Sequence, residues 1–333
     1  MKLAWCLARV LGDGRFHSGA TLASEFDVSR TVVWRAIHAL ESAGLEIHSV
    51  TGKGYRLAEP VDWLDADALE AALPAACRER LAALEVHDET DSTTRRLLDE
   101  GPPEPGRLRV SIAESQTGGR GRRGRRWQSP PGGGIWLSLR WLFDRQPPQL
   151  TALGLAAGLA VRRALAGAGI GGVMLKWPND LVYGDRKLGG LLAELRAESQ
   201  GPAFVVLGAG VNWQIPRVLR DGIAQDGGLP VTDVTELCRA AGIDPPARTS
   251  VAAAMVAGLG ELLAGYETTG FQGWRDDWSE ADSLRDRPVR VEAGGGSLAG
   301  TARGVDRDGA LLVETSGGRR RVIAGDVSVR PAA

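Results

Sequence analysis

Apolar residues recur at helical spacing from Lys2 to Leu11 and stop at Gly12 and Gly14, which predicts a first helix closed by glycine. A second, short helix is expected over residues 21–25. A third begins at Ser29, a good N-cap, and runs to Ala43 before Gly44. Val33, Ala36, Ile37 and Leu40 share one face of it, leaving Arg30, Thr31, Trp34, Arg35 and His38 elsewhere. Strand-like runs at 45–50 and 55–57 are joined by Thr51-Gly52-Lys53-Gly54, a hairpin with a basic tip. Three helices and a hairpin in this order predict a winged helix-turn-helix, used either on DNA or for protein contact. Residues 1–60 hold seven Lys/Arg against six Asp/Glu, a weak footprint for DNA that a dimer would ease by doubling the contacts.

Beyond a Pro60-containing linker at 58–64, the pattern becomes mixed. Two short Ala/Leu-rich helical stretches flank Pro74. Strands are expected at 84–86, 108–113, 134–141, 173–177, 181–183, 187–196 and 204–211, with a hairpin at Gly184-Asp185. Residues 87–94 read as a polar turn capping a helix to Glu100, and 101–106 as a Pro-rich turn. An apolar helix fits 150–166, further helices fit 234–241, 251–266 and 271–279, and 213–231 reads as a long mobile loop. From Arg287 the alternation turns to short strands at 289–291, 301–305, 310–314 and 319–323, which suits a small barrel. These shifts divide the chain into residues 1–60, 61–285 and 286–333.

Composition removes several function classes. The 333 residues are 43% hydrophobic and 24% charged, with no apolar run long enough to span a bilayer, as expected of a globular chain. Arg9 interrupts the apolar start, so residues 1–15 are expected to remain as a helix rather than act as a signal peptide. Cys6, Cys77 and Cys238 are odd in number and far apart, which supports neither a disulfide framework nor a zinc site and points to a cytoplasmic chain. The net charge of -1 conceals a preference: of 40 basic residues only Lys2, Lys53, Lys176 and Lys187 are lysine. A lysine kept among so many arginines is either chance or a place where a compact, mobile ammonium is needed.

The chemistry concentrates at strand ends. Residues 118–127 read GGRGRRGRRW, five arginines among four glycines, which is either an anion-gripping loop, a solvated basic turn or a nucleic-acid patch. Its GxGxxG-like spacing opens no βαβ unit and is not a dinucleotide fingerprint. Gln116, the loop arginines, Lys176, Asn179, Asp180, Lys187 and Asn212 all fall at loop mouths, where ligands sit in mixed α/β domains. Ser92 and Thr93 are either helix caps or ligand contacts, and Lys176 either a site cation or a structural ion-pair partner.

Ser92-Thr93, Gln116 with the Arg/Gly loop and Trp127, KWPND at 176–180, RKLGGLLAE at 186–194 and GAGVN at 208–212 together resemble biotin protein ligase. The order is similar to the bacterial bifunctional type that also represses a biotin operon. The resemblance spans the chain: residues 16–47 with GKGYRL are similar to that type's winged helix, and RPVRV with GVDRDGALLVE to its C-terminal domain. It implies an α+β fold: an N-terminal winged helix-turn-helix, a central mixed α/β ligase domain of class II synthetase-like kind, and a small C-terminal SH3-like β-barrel.

The activity implied is ATP-dependent formation of biotinyl-5'-AMP, then transfer of biotin to one lysine of the carrier domain of acetyl-CoA carboxylase. ATP and biotin are the substrates, with Mg²⁺. Operator DNA and a homodimer formed on adenylate binding are the implied partners. Carried over by motif, Ser92, Thr93 and Gln116 bond the ureido ring. The backbone at Gly119 and Arg120 closes over it, and Gly189, Gly190 and Gly208 keep strand surfaces bare. Lys187, Arg122 and Arg120 are the catalytic set, Lys187 standing between biotin carboxylate and α-phosphate. Arg122 and Arg125 take the polyphosphate, Trp127 packs beside the adenylate, Asn179 and Asn212 meet the adenine edge, and Asp180 faces ATP and Mg²⁺. Ser29, Arg30, Thr31, Arg35 and Lys53 form the DNA surface. Two positions depart from the family: Thr94 replaces the usual asparagine, and Trp34 stands on the recognition helix, either against a thymine methyl or beneath the wing. A ligase whose winged helix no longer binds DNA and a lipoate ligase-like enzyme are the alternatives.

Overall fold

The computed structural model describes residues 2–101, 104–197, 202–225, 229–293, 296–323 and 327–331. The first unit comprises α1 (Lys2–Leu11), α2 (Gly19–Glu25), α3 (Arg30–Ser42) and the hairpin β1 (Ile47–Val50) and β2 (Gly54–Leu57). Ser18 and Ser29 cap α2 and α3, accepting from Thr21 N (2.9 Å) and Val32 N (3.3 Å). Val33, Ile37 and Leu40 bury the predicted face against Leu7 and Leu11 of α1 and Leu22 of α2. At the wing, Gly52 and Gly54 take positive φ (81° and 101°), the conformation that only glycine adopts without strain.

The expected linker is docked rather than free. Trp63 lies edge-on to Trp5 (5.9 Å) and donates to Ala8 O (3.2 Å), and Leu64 is buried in the core of the next unit.

That second unit holds α4 (Ala66–Ala72), α5 (Ala75–Arg80), β3 (Leu81–Thr90), α6 (Thr93–Asp99), β4 (Leu108–Gln116) and β5 (Gly134–Phe143). It continues with α7 (Leu153–Gly167), β6 (Met174–Lys176), β7 (Asp180–Tyr183), β8 (Arg186–Ala197), β9 (Ala203–Asn212), α8 (Arg217–Gln225), α9 (Val234–Ala241), α10 (Arg248–Thr269) and α11 (Arg275–Ala281). The seven strands order as β3-β4-β5-β9-β8-β7-β6, with β3 and β4 parallel and the other neighbours antiparallel.

Period-two alternation divides the sheet's faces. Val205, Leu207, Ala209 and Val211 of β9 join the main core with α7 and α10, whereas Phe204 and Val206 pack with Leu97 of α6. The same face then continues into Gly208, Gly210 and Asn212, where α6 no longer covers it. Against the expectation of no bilayer-length apolar run, Leu150–Gly167 and α10 are apolar and long enough to cross a membrane by length and composition, but more than half of each helix's apolar window is buried within the molecule.

The third unit is an antiparallel sheet of β10 (Pro288–Ala293), β11 (Gly296–Val305), β12 (Leu311–Thr315), β13 (Gly318–Val322) and β14 (Val327–Pro331), ordered β13-β12-β11-β10-β14.

Several expectations change. The polar stretch 87–90 is not a turn but the end of β3, because its pairing with β4 continues from Val86↔Ile112 to Thr90↔Gln116. The loop expected at 213–231 carries α8, and residues 226–228 of it lie outside the described residues, as do 102 and 103 of the Pro-rich turn. β14 was hidden because its partner β10 lies about 40 residues earlier, a pairing that local pattern does not encode.

Candidate functional site

Gly208 and Gly210 leave the uncovered face of β9 bare, and a cavity of about 360 Å³ opens above it. That volume suits a small organic ligand. A Cβ at Gly210 would stand 3.0–3.1 Å from the Trp127 indole, and one at Gly190 3.4 Å from it, so two glycines make the flat bed on which Trp127 rests. Trp136 meets Trp127 edge-to-face at 6.2 Å, and both indole Nε1 atoms are buried without a hydrogen-bond partner. Buried donors of this kind are normally satisfied, and an acceptor on a ligand would satisfy that of Trp127 at the cavity wall.

The Arg/Gly stretch is a short hairpin, not an open turn. Gly121 N donates to Arg125 O (2.8 Å) and Trp127 N to Gly119 O (2.9 Å), with Arg120 opposite Arg126. Only Gly124 among its glycines has positive φ (69°), and Arg123 adopts φ 60° beside it at the tip. Gly118 and Gly119 serve close approach instead: a Cβ on Gly119 would lie 2.7 Å from Trp127 O. Arg120, Arg122, Arg123, Arg125 and Arg126 all line the cavity, together with Lys176 and Lys187. Asp180 is the single Asp or Glu among the described lining residues, so the field inside favours an anionic ligand.

At one end a hydroxyl and amide network closes the cavity. Gln116 Oε1 accepts from Thr93 N (2.9 Å) and Thr93 Oγ1 (3.2 Å), while Gln116 Nε2 donates to Ser129 Oγ (3.0 Å). Ser138 Oγ lies 2.8 Å from Thr93 Oγ1 and 2.9 Å from Thr94 Oγ1. Thr94 therefore faces the cavity floor, and Ser92 is the residue that caps α6, accepting from Arg95 N (3.4 Å). Sequence reasoning does not find Ser138; its signal is a serine at an alternate position of a strand whose other polar side chain is Arg140.

Lys187 sits nearer the middle. Its Nζ is 2.6 Å from Asp180 Oδ1 and 5.0 Å from the centre of the Trp127 ring. Its backbone is stitched to the opposite segment, Lys187 N donating to Pro230 O (2.7 Å) and Thr232 N to Lys187 O (3.0 Å).

Asn179 and Asn212 have structural work here. Asn179 accepts from Arg122 (3.3 Å) and donates to Leu191 O (2.8 Å). Asn212 Nδ2 donates to Thr232 O (3.0 Å) and Lys187 O (3.3 Å), leaving no amide hydrogen for an adenine edge. Gly189 does not line the cavity, because a Cβ there would meet Gly210 O at 2.5 Å within the sheet; Gly190 takes that place. Gly119 likewise stands behind the lining. Val329 of β14 lines the cavity, so the third unit contributes to its wall.

Asp180 alone, already paired with Lys187, is a poor resident metal site, and no group of three or more His, Cys, Asp or Glu gathers among the described residues. Mg²⁺ typically takes one or two carboxylates plus substrate phosphates, which is the most this donor set offers.

The DNA-surface candidates Arg30, Thr31 and Arg35 are exposed on α3, with Ser29 at its cap and Lys53 at the wing tip. Trp34 is 48% exposed and lies against His38 with ring centres 4.0 Å apart and planes tilted by 40°, rather than buried beneath the wing. Phe16 supports the wing instead, under Arg56 (5.1 Å) and Lys53 (5.8 Å).

The Biotin/lipoate A/B protein ligase family matches residues 86–212, an HTH domain residues 7–56, and the biotin protein ligase C-terminal domain residues 286–330. The bifunctional ligase/repressor BirA of Salmonella typhimurium is 36% identical over 329 residues, spanning 98% of this chain and 97% of that protein. BirA of Bacillus subtilis is 31% identical over 94% of both chains. Among solved structures, the biotin protein ligase from Aquifex aeolicus in complex with biotin and ATP aligns at TM-score 0.60 and 26% identity, covering 76% of this chain and all of that one. With the winged helix, the cation-lined cavity and the C-terminal sheet in that order, the chain belongs to the biotin protein ligase family and, within it, to the bifunctional ligase/repressor type.

Proposed function

We propose that the cavity condenses biotin with ATP and then hands the biotinyl group to a lysine of a carboxylase carrier domain. The observation that carries this is the juxtaposition of Lys187, Asp180 and the arginine hairpin with the neutral Gln116-Thr93-Ser138 network. A neutral set of donors and acceptors suits a ureido ring, and the cationic half suits a polyphosphate. In the first step a biotin carboxylate oxygen bonds to the α-phosphorus and the α–β P–O bond breaks, its electron pair leaving with pyrophosphate. In the second the lysine amine attacks the acyl carbon, loses a proton, and AMP departs with the C–O electron pair. Negative charge gathers near the α-phosphate in the first step, so preorganised cations supply most of the assistance.

In this reading Arg120 and Gly119 close the loop over biotin, Arg122 and Arg125 hold phosphates, and Trp127 lies along the adenylate. Asp180 orients Lys187 by its ion pair, and Mg²⁺ enters as the counterion of ATP. Residues 1–60, 61–285 and 286–333 act as DNA-binding, catalytic and supporting domains. A homodimer formed on adenylate binding would double the sparse DNA contacts, in a cytoplasmic protein.

Biotin, ATP, Mg²⁺ and an isolated carrier domain are expected to give labelled carrier, and absence of product at any enzyme concentration sinks the ligase reading. Competition between biotin and lipoate separates the lipoate alternative. A gel shift on DNA upstream of biotin-synthesis genes is expected only with biotin and ATP present; no shift with both removes the repressor half. Gly210→Ala sets a methyl against Trp127 and is expected to raise the KM for ATP about fivefold or more. An unchanged KM would place the adenylate elsewhere.

A further inference from the structure

Behind the cavity wall formed by Ile215, Ile223 and Val231 lies an ionic cluster that the proposed chemistry does not use. Arg220 on α8 pairs with Asp233 and with Glu236 Oε2 (2.6 Å), and its Nε donates to Ile215 O (3.0 Å). Asp233 is completely buried: it caps α9 by accepting from Glu236 N (2.9 Å), and its second oxygen accepts from Ile215 N (2.9 Å). Glu236 also pairs with Arg186 and accepts from Thr232 Oγ1 (3.1 Å). Burial works to raise its carboxyl, but Arg186, Thr232 and Arg220 outweigh burial and hold it below the usual range.

The two arginines belong to different parts of the site. Arg220 anchors α8, which carries the wall residue Ile223, while Arg186 immediately precedes Lys187 on β8. Thr232, bonded to Glu236, also donates its backbone N–H to Lys187 O. We infer that Glu236 is a positioning residue that couples the seating of α8 against the cavity to the placement of Lys187. Partly exposed ion pairs such as these add little to stability one at a time. Their value lies in geometry: a carboxylate shared by two arginines moves both when either shifts.

This rests on the ligase reading, and pyrophosphate release from biotin and ATP tests it. Glu236→Gln is expected to raise the KM for ATP and to lower kcat, each about tenfold. Arg220→Ala and Arg186→Ala should each move both KM and kcat, because each releases the carboxylate that holds the other, and each should add less than about twofold on top of Glu236→Gln. If Glu236→Gln does not fold, the Arg186→Ala/Arg220→Ala pair, which keeps Glu236 and Asp233, carries the test, with a combined loss smaller than the product of the single losses. Effects that simply multiply, or a Glu236→Gln enzyme within about twofold of wild type in both parameters, overturn the coupling. No pyrophosphate from the wild-type chain overturns the ligase reading itself.

Discussion

Replacing Lys187 with alanine is expected to slow adenylate formation by about 10²- to 10³-fold, the usual cost of deleting one preorganised donor to a developing charge. The ammonium is held by Asp180 at 2.6 Å, rests over the Trp127 ring at 5.0 Å, and stems from a backbone fixed on both sides by Pro230 and Thr232. It is therefore placed before substrate arrives, while its single point of charge is free to follow the negative charge from a carboxylate oxygen to a phosphate oxygen. Lys187→Arg should recover little, because a planar fork requires a different site geometry. Pyrophosphate exchange at saturating biotin and ATP measures the step. A rate within about threefold of wild type would remove Lys187 from the reaction.

The second large effect is structural. Arg248 and Glu114 form an ion pair with both side chains wholly buried, at 2.8 and 2.6 Å. Arg248 also donates to Asp62 O (2.7 Å) and Gly134 O (3.1 Å), and Glu114 accepts from Leu64 N (2.6 Å). Burial raises the Glu114 carboxyl, with Arg248 opposing that rise.

The pair thus fastens the interdomain linker to β4 two residues before Gln116 and to the start of β5, which supplies Trp136 and Ser138. Arg248→Ala leaves a carboxylate buried without its partner and is expected to cost about 3–5 kcal/mol. Urea unfolding would register it, and a loss below about 1 kcal/mol would show that the pair does not bind the linker in place. Glu114→Leu with Arg248→Met should recover part of the loss, since no buried charge then remains.

The ends of α3 were legible because it carries its own punctuation, Ser29 capping it and Gly44 following it, whereas α2 starts at Gly19 behind Ser18, two residues before the expected start. The cavity's bed was also legible in part. Gly208 was expected to keep a strand surface bare, but the part of Gly210, directly under Trp127, and which face α6 leaves uncovered depend on how the sheet and helix pack. Gly189 shows the limit of that reasoning: it is as small as Gly190, but the register of β8 pairs it with Val211 and turns it to the core face beside Leu181, away from the cavity. Thr94 illustrates the converse. Its departure from the family pattern was plain, and only its 2.9 Å contact with Ser138, 44 residues away, shows what the hydroxyl does.

The sequence by itself determined the three-part order, the caps and turns, the period-two faces and the pool of cations for an anionic ligand, because these depend on residue type and short spacing. Tertiary structure alone decided which charges meet. Arg248 finds Glu114 across 134 positions, Glu236 gathers Arg186 and Arg220, and Asn212 donates both its amide hydrogens, to Lys187 O and Thr232 O. A charge or an amide has no partner written beside it in the chain. Its energy depends on burial and on distances of a few ångströms, which exist only once the sheet has formed and the helices have packed upon it.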